Sequence, residues 1–250
     1  MRKVIKAKWV VKIPVESKVL VKKGQELSEG ETLIKSSLGH ILSVDLDKFL
    51  KDKDREERKE IVESLKEKIW EKGEVMLSKG SFLKKKKLLS PEKGRVLGLD
   101  EFGDMRFGVF GEERKIMSPV KSVCLGEKEG KLELEFKARE YKGEAIVMGK
   151  TWGRMLPRVV KRLVDLDNDC EGSIIMVEKV DEYFWKKAEA IGVEGVVLKK
   201  EEELQFETSI PVMALSDFEW LALEGELENK DEMRRALLNS KAGRLLLVLE

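Results

Sequence analysis

Apolar and polar positions follow two rhythms along the chain. Up to about residue 142, short alternating runs are broken by Gly-containing turns; beyond about residue 154, blocks of roughly five apolar residues are separated by amphipathic stretches. In the first half, Val4, Lys6, Lys8 and Val10 open a strand-like run that Pro14 interrupts. The segment VLVKKGQELSEGETLIK, residues 19–35, then places Val19, Val21, Leu27, Leu33 and Ile34 around turns at Gly24 and Gly30. Such spacing predicts very short strands with sharp corners.

Residues 51–72, KDKDREERKEIVESLKEKIWEK, change the period. Ile61, Leu65 and Ile69 fall at i, i+4 and i+8, one apolar stripe on a charged helix. Asp52 and Asp54 near its start and Lys72-Gly73 near its end suit the helix dipole and a C-cap. Short strands resume at Glu74. Two segments then match each other: KLLSPEKGRVLGLDEFGDMRFGV from Lys87 to Val109, and KIMSPVKSVCLGEKEGKLELEF from Lys115 to Phe136. Each runs Ser-Pro, strand, acidic Gly-containing turn, strand, so the pattern predicts an internal repeat of two hairpins.

In the second half, PRVVKRLVDLD (157–167) has helical spacing with Pro157 at a first helical position. SIIMVE (173–178), EGVVLK (194–199) and IPVMAL (210–215) read as short buried strands. DEYFWKKAEAIG carries Phe184, Ala188 and Ile191 on one helical face, and MRRALLNSKAG (233–243) reads as a helix closed by Gly243, before RLLLVLE. Apolar runs alternating with amphipathic helices predict a small Rossmann-like α/β domain with a parallel sheet.

The segment VLVKKGQELSEGETLIK resembles the second-half motif of biotinyl/lipoyl-type barrel-sandwich hybrids, and LSPEKGRVLGL resembles their first-half motif. The order is rearranged and a helix interrupts it. The chain also resembles uncharacterised bacterial proteins that join such a barrel to a small α/β domain. The resemblance implies an α+β multidomain chain: a β-rich barrel-sandwich-like domain over residues 1–142, with a helical insertion at about 51–72, then an α/β domain over residues 154–250. Carrier domains of that type present a lysine at a hairpin tip, in biotin carriers between two methionines. No Met-Lys-Met occurs; Lys35 and Lys79 are the nearest candidates, and the expected reading is a structural barrel with no prosthetic group.

Charge sharpens this picture only locally. Charged residues reach 39%, but 49 basic residues face 48 acidic ones, so no global field steers the chain to nucleic acid or membrane. The basic N-terminal run lacks a continuous apolar core, and the expectation is a cytoplasmic protein without membrane insertion. The strongest charge feature is FLKKKKLL, where Lys84, Lys85, Lys86 and Lys87 could contact phosphates from a hairpin.

Other candidate chemistry dissolves on inspection. KGEAIVMGKTWG, residues 142–153, ends like a phosphate-binding loop, but the first Gly is needed at position 144, which is Glu; Gly143 is one residue early. Ala145-Ile146-Val147 reads as a strand instead. DLDNDCEG places Asp165, Asp167 and Asp169 like the start of a calcium loop, yet Cys170 and Met176 stand where Gly and Glu are required. His40 is the one histidine and reads as partly buried among apolar neighbours; Cys124 and Cys170 form no CxxC pair. No catalytic, cofactor or metal residue is expected. The functional expectation is a non-catalytic structural or adaptor protein with a protein partner. The alternatives are nucleic-acid binding through Lys84–Lys87, or an α/β enzyme or ligand binder using strand ends near Glu178 and Lys199.

Overall fold

The computed structural model describes residues 2–80, 86–200, 207–228 and 234–249. The chain is mostly β, at 50% strand and 19% helix. Strands β1 (Val4–Lys12), β2 (Ser17–Val19), β3 (Glu26–Leu27) and β4 (Thr32–Val44) come first, followed by helices α1 (Asp47–Leu50) and α2 (Arg55–Leu65). Then come β5 (Val75–Lys79), β6 (Lys86–Leu89), β7 (Gly94–Leu99), β8 (Met105–Met117), β9 (Ser122–Lys128), β10 (Lys131–Val147) and β11 (Lys150–Val160). The remainder holds β12 (Ser173–Val177), α3 (Glu182–Ile191), β13 (Gly195–Lys199), β14 (Val212–Leu215), α4 (Asp217–Leu227), β15 (Arg234–Asn239) and β16 (Arg244–Val248).

Contacts divide the chain into two compact units: a barrel unit of Met1–Lys12, Lys22–Glu31 and Met117–Glu250, and a sheet unit of Ile13–Val21 and Thr32–Ile116. This is not the division expected at 142–154. The reason is β10. Its first half is flanked by β1 (Val4↔Arg139 to Lys12↔Lys131) and β9 (Glu135↔Val123), and its second half by β16 (Ala138↔Val248) and β14 (Gly143↔Leu215). One unbroken strand therefore carries residues on both sides of position 142.

In the barrel unit, β14, β13, β12 and β11 are parallel neighbours, as the apolar runs predict. They do not form an open α/β layer. Antiparallel β15, β16 and β10 continue the order, and β10 returns to pair with β14, closing a seven-stranded barrel. Closure removes the edges that these seven strands would otherwise expose. The interior is filled by Tyr141, Met155, Ile174, Met176, Val197, Met213, Leu215, Ala236, Leu238, Leu245 and Leu247, with Trp220, Leu223 and Leu227 of α4 packed among them. Outside the wall, α3 lays Phe184, Trp185 and Ala188 over Ile175, Val177, Val196 and Leu198. β12, β13 and β14 are thus buried on both faces.

Two segments expected to be helical are strands. Residues 157–160 belong to β11, where Met155↔Ile174 and Val159↔Met176 leave two extra residues on the β11 side. Pro157 lies in that bulge, where its missing N–H removes no ladder bond. The bulge respaces the apolar side chains to mimic a helix. Residues 234–239 form β15, and only Ser240–Ala242 make a short helical turn, closed by Gly243.

The sheet unit contains a four-stranded sheet ordered β2-β4-β8-β7 and a β5–β6 hairpin. The helix expected over 51–72 is α2, shorter at both ends: it stops at Leu65, so Ile69 is exposed and Lys72-Gly73 is not its cap. Asp54 caps its start by accepting from the Glu57 N–H as the Glu57 carboxylate accepts from the Asp54 N–H. Val62 and Leu65 of its apolar stripe join Trp70, Met76, Val96, Met105, Phe107 and Val109 in the core.

Both Ser-Pro hairpins form, one per unit, and their bonding matches. In the sheet unit, the Ser90 N–H donates to Glu74 O (2.8 Å), the Gly73 N–H to Ser90 O (2.9 Å) and the Ser90 hydroxyl to Glu92 O (2.7 Å). In the barrel unit, the Ser118 N–H donates to Glu31 O (2.8 Å), the Gly30 N–H to Ser118 O (2.8 Å) and the Ser118 hydroxyl to Val120 O (2.7 Å). Each following strand then bulges at a Leu-Gly pair: Leu97-Gly98 in β7 against β8, and Leu125-Gly126 in β9 against β10. Gly98 and Gly126 have φ of 136° and 110°, a backbone region that excludes side chains.

Candidate functional site

The C-terminal ends of the parallel strands form one rim of the barrel. The chain leaves β14 through Ser216, whose hydroxyl caps α4 by accepting from the Glu219 N–H (3.4 Å). The apolar pattern does not mark α4, although Ser216 and Glu219 have the Ser-x-x-Glu spacing of a capping box. Its inner face, Trp220, Leu223 and Leu227, plugs the barrel interior.

Its flank carries an arginine–carboxylate cluster. Glu226 of α4 pairs with Arg139 of β10 and with Arg234 of β15 (2.7 Å), and lies 3.4 Å from the Tyr141 hydroxyl. Glu219 pairs with Arg2 at 2.6 Å, and the Arg2 guanidinium stacks 4.7 Å from the Tyr141 ring centroid. Burial pushes the Tyr141 hydroxyl up from its ordinary pKa, against the pull of Arg2, Arg139 and Arg234. Arg234 is a buried charge, satisfied by Glu226. Removing one partner from such a pair leaves an uncompensated charge, so the cluster locks α4 over the barrel mouth.

Next to α4, the β11 bulge opens a cleft of about 240 Å³ lined by Pro157, Arg158, Val159, Lys161, Met176 and the α4 residues Glu224, Leu227 and Glu228. Further round the rim, the side chains Leu163, Val164 and Tyr183 are exposed, at 41%, 70% and 69%. Lys187, one turn after Tyr183 on α3, donates to Leu163 O at 3.0 Å and ties these segments together. On α4, Phe218 and Leu221 are exposed at i and i+3. The rim charges pair among themselves: Lys161 with Glu178 (3.5 Å), Arg158 with Asp167 (2.7 Å), Arg162 with Asp165 (3.0 Å), Lys199 with Asp217 (3.1 Å) and Lys200 with Glu144 (2.6 Å).

The residues singled out from the sequence are scattered. Lys84 and Lys85 lie outside the described residues; Lys86 and Lys87 are exposed on β6, opposite Lys79 and Ser78. Glu178 and Lys199 mark the rim but are joined to Lys161 and Asp217 rather than to each other. His40 is exposed on β4, not partly buried, because the outward face of that strand carries it. Gly149-Lys150-Thr151 joins β10 to β11: the Gly149 N–H donates to the Ser240 hydroxyl (2.8 Å), and a Cβ at Gly149 would stand 2.4 Å from Pro211. Nothing there turns backbone donors around an anion. Asp165 and Asp167 serve Arg162 and Arg158, whose hydrogen bonds hold both carboxyls below the usual range. Among the described residues, no group of three or more His, Cys, Asp or Glu could hold a metal ion. Both cysteines are buried and free. Among the described residues, no helix is long and apolar enough to cross a membrane.

No protein-family model matches the chain, and no curated protein does. Solved structures share partial likeness. A solution structure of a UPF0107 protein aligns at 17% identity over 44% of this chain and 99% of its own, with a TM-score of 0.30. BSAP, a zinc aminopeptidase from Bacillus subtilis, aligns at 17% identity over 39% of this chain and 26% of its own, with a TM-score of 0.26. A second structure of the aminopeptidase gives 14% identity, 45% and 32% coverage, and the same TM-score of 0.26.

Proposed function

We propose that this protein is a non-catalytic adaptor that docks a protein partner on the barrel rim. The observation that carries the reading is the set of exposed apolar side chains Leu163, Val164 and Tyr183 on tethered segments leaving β11 and β12. The adjacent Lys161 and Arg162 are paired with Glu178 and Asp165, which leaves the apolar side chains as the prominent feature. The occupant that fits is a neutral, apolar segment of another protein rather than a charged polymer. The packed barrel beneath provides the rigidity that keeps association entropy low. The test is a double variant, Val164→Asp with Tyr183→Asp, compared with the parent by affinity capture from native cells. A protein retained by the parent and lost by a double variant of unchanged melting temperature supports the adaptor. Identical captured sets overturn it.

Two finer readings belong to the same proposal. The matched Ser-Pro hairpins support an internal repeat, and short strands with Gly turns keep the barrel-sandwich-like reading of the N-terminal half as a structural scaffold. The candidate carrier lysines are occupied, Lys35 by Glu113 (3.0 Å) and Lys79 by Asp52 (2.8 Å), which suits a scaffold more than an attachment point.

A further inference from the structure

We propose that the sheet unit binds single-stranded nucleic acid at a groove beside Phe102, with a base stacked on the Phe102 ring and a phosphate on the Arg55 guanidinium. Among the described residues Phe102 is the most exposed large apolar side chain, at 83%. It is not a loose loop residue. The Asp100 carboxylate accepts from the Phe102 and Asp104 N–H groups, both at 2.9 Å, and from the Ser43 hydroxyl at 3.2 Å. The Asp100 N–H in turn donates to Asp104 O at 2.9 Å. The ring is therefore presented to solvent on a pinned turn, and little ordering remains to be lost on binding.

Beside it lies a groove of about 210 Å³ lined by Lys53, Arg55, Arg58, Glu101, Phe102 and Gly103. Of its three cations, two are already ion-paired. Arg58 is held by Asp47 (2.8 Å) and by Lys53 O (3.1 Å), and Lys53 by Glu57 (2.6 Å). The Arg55 guanidinium has no ion-pair partner among the described residues. An exposed aromatic face beside an unpaired guanidinium matches a base and its phosphate, and matches an apolar peptide poorly. On the neighbouring hairpin Lys79 is paired with Asp52, next to Lys53, and Lys86 lies opposite Lys79 in the ladder. The rim reading on the barrel unit is independent of this site.

The experiment is fluorescence anisotropy with labelled dT12, rU12 and a duplex of equal length at low and physiological salt. Single strands bind and the duplex binds less. Phe102→Ala weakens binding about 5- to 150-fold, the equivalent of ~1–3 kcal/mol of stacking. Arg55→Ala lowers the slope of log affinity against log salt by about 0.7, one phosphate on a single strand. Met148→Ala, another exposed apolar residue, changes neither. Absence of binding at low salt by the folded protein overturns the proposal, as does equal affinity for the duplex. Insensitivity to Phe102→Ala overturns it too, as does displacement of the strand by an equal concentration of thymidine monophosphate.

Discussion

The turn at Gly73-Glu74 with Ser90-Pro91 and the turn at Gly30-Glu31 with Ser118-Pro119 are built from the same bonds, yet their strands end in different sheets. In the sheet unit, β7 is an end strand of the order β2-β4-β8-β7. In the barrel unit, β9 flanks only the first five residues of β10, which continues into a closed barrel. Local sequence therefore determines the hairpin: the Ser hydroxyl completes the turn that Pro, lacking an N–H, cannot, and Leu-Gly sets the bulge. What surrounds the hairpin is decided elsewhere, by how far the second strand runs. β8 ends after 13 residues and β10 after 17, and the extra length reaches β14.

The largest effect comes from separating the two contexts. Residues 154–250 expressed alone lose both ladders that β10 supplies, and the expected outcome is an amide NMR spectrum without β dispersion. Residues 13–116 contain the whole sheet unit and are expected to keep dispersed signals, including the indole of Trp70, whose N–H donates to Leu65 O. A dispersed 154–250 spectrum would show that the barrel closes without β10.

Gly98→Val and Gly126→Val place a β-branched residue where φ is 136° and 110°. Each is expected to destabilise its own unit by about 1–3 kcal/mol. Urea unfolding followed by circular dichroism and by the Trp70 indole signal separates the units; loss of Trp70 structure only in Gly98→Val is the expected pattern.

Ser90→Ala and Ser118→Ala each remove a buried hydroxyl, at roughly 1 kcal/mol for a typical bond. Ser118 also meets the Ser122 hydroxyl at 3.2 Å, so its loss strands a second polar group and the barrel-unit variant is expected to suffer more. Equal losses in thermal melts would reduce the two hydroxyls to the same role.

The smallest effect is on pH. The Lys68 ammonium first, then the Glu71 N–H, hold the Glu74 carboxyl below its ordinary value of 4.5. A carboxyl lowered on folding stabilises above its unfolded pKa, and that contribution fades as pH falls through the folded one. Sheet-unit stability is therefore expected to decline slightly below about pH 4.5, less so in Glu74→Gln, as read from melts across pH 3 to 6.

These contrasts also mark what the residues announce. The hairpins, α2, α3 and the strands at 173–177, 195–199 and 212–215 are legible because their apolar periods are regular and their caps conventional. β11 and β15 are not. The bulge at Pro157 gives strand residues helical spacing, and Arg234–Asn239, buried on the inner and outer faces of the wall, shows no alternation to read. The rim was legible only as the ends near Glu178 and Lys199. The pairs Arg139–Glu226 and Arg2–Glu219 join residues more than 80 positions apart, which no local pattern encodes. Phe102 was visible as one letter in an acidic turn; its exposure comes from the Asp100 bonds, which only the folded backbone reveals.

The pairing of β10 with both β14 and β16 has a consequence for synthesis on the ribosome. The residues of the sheet unit are all polymerised by Ile116, well before the wall of the barrel exists. The barrel cannot close until Val248 has emerged to meet Ala138, so the long β10 must wait, half-partnered, while more than a hundred further residues are made. Its first half is shielded early by β1 and β9, and its second half, Glu140 to Val147, is the segment for which a nascent-chain chaperone would have the longest opportunity.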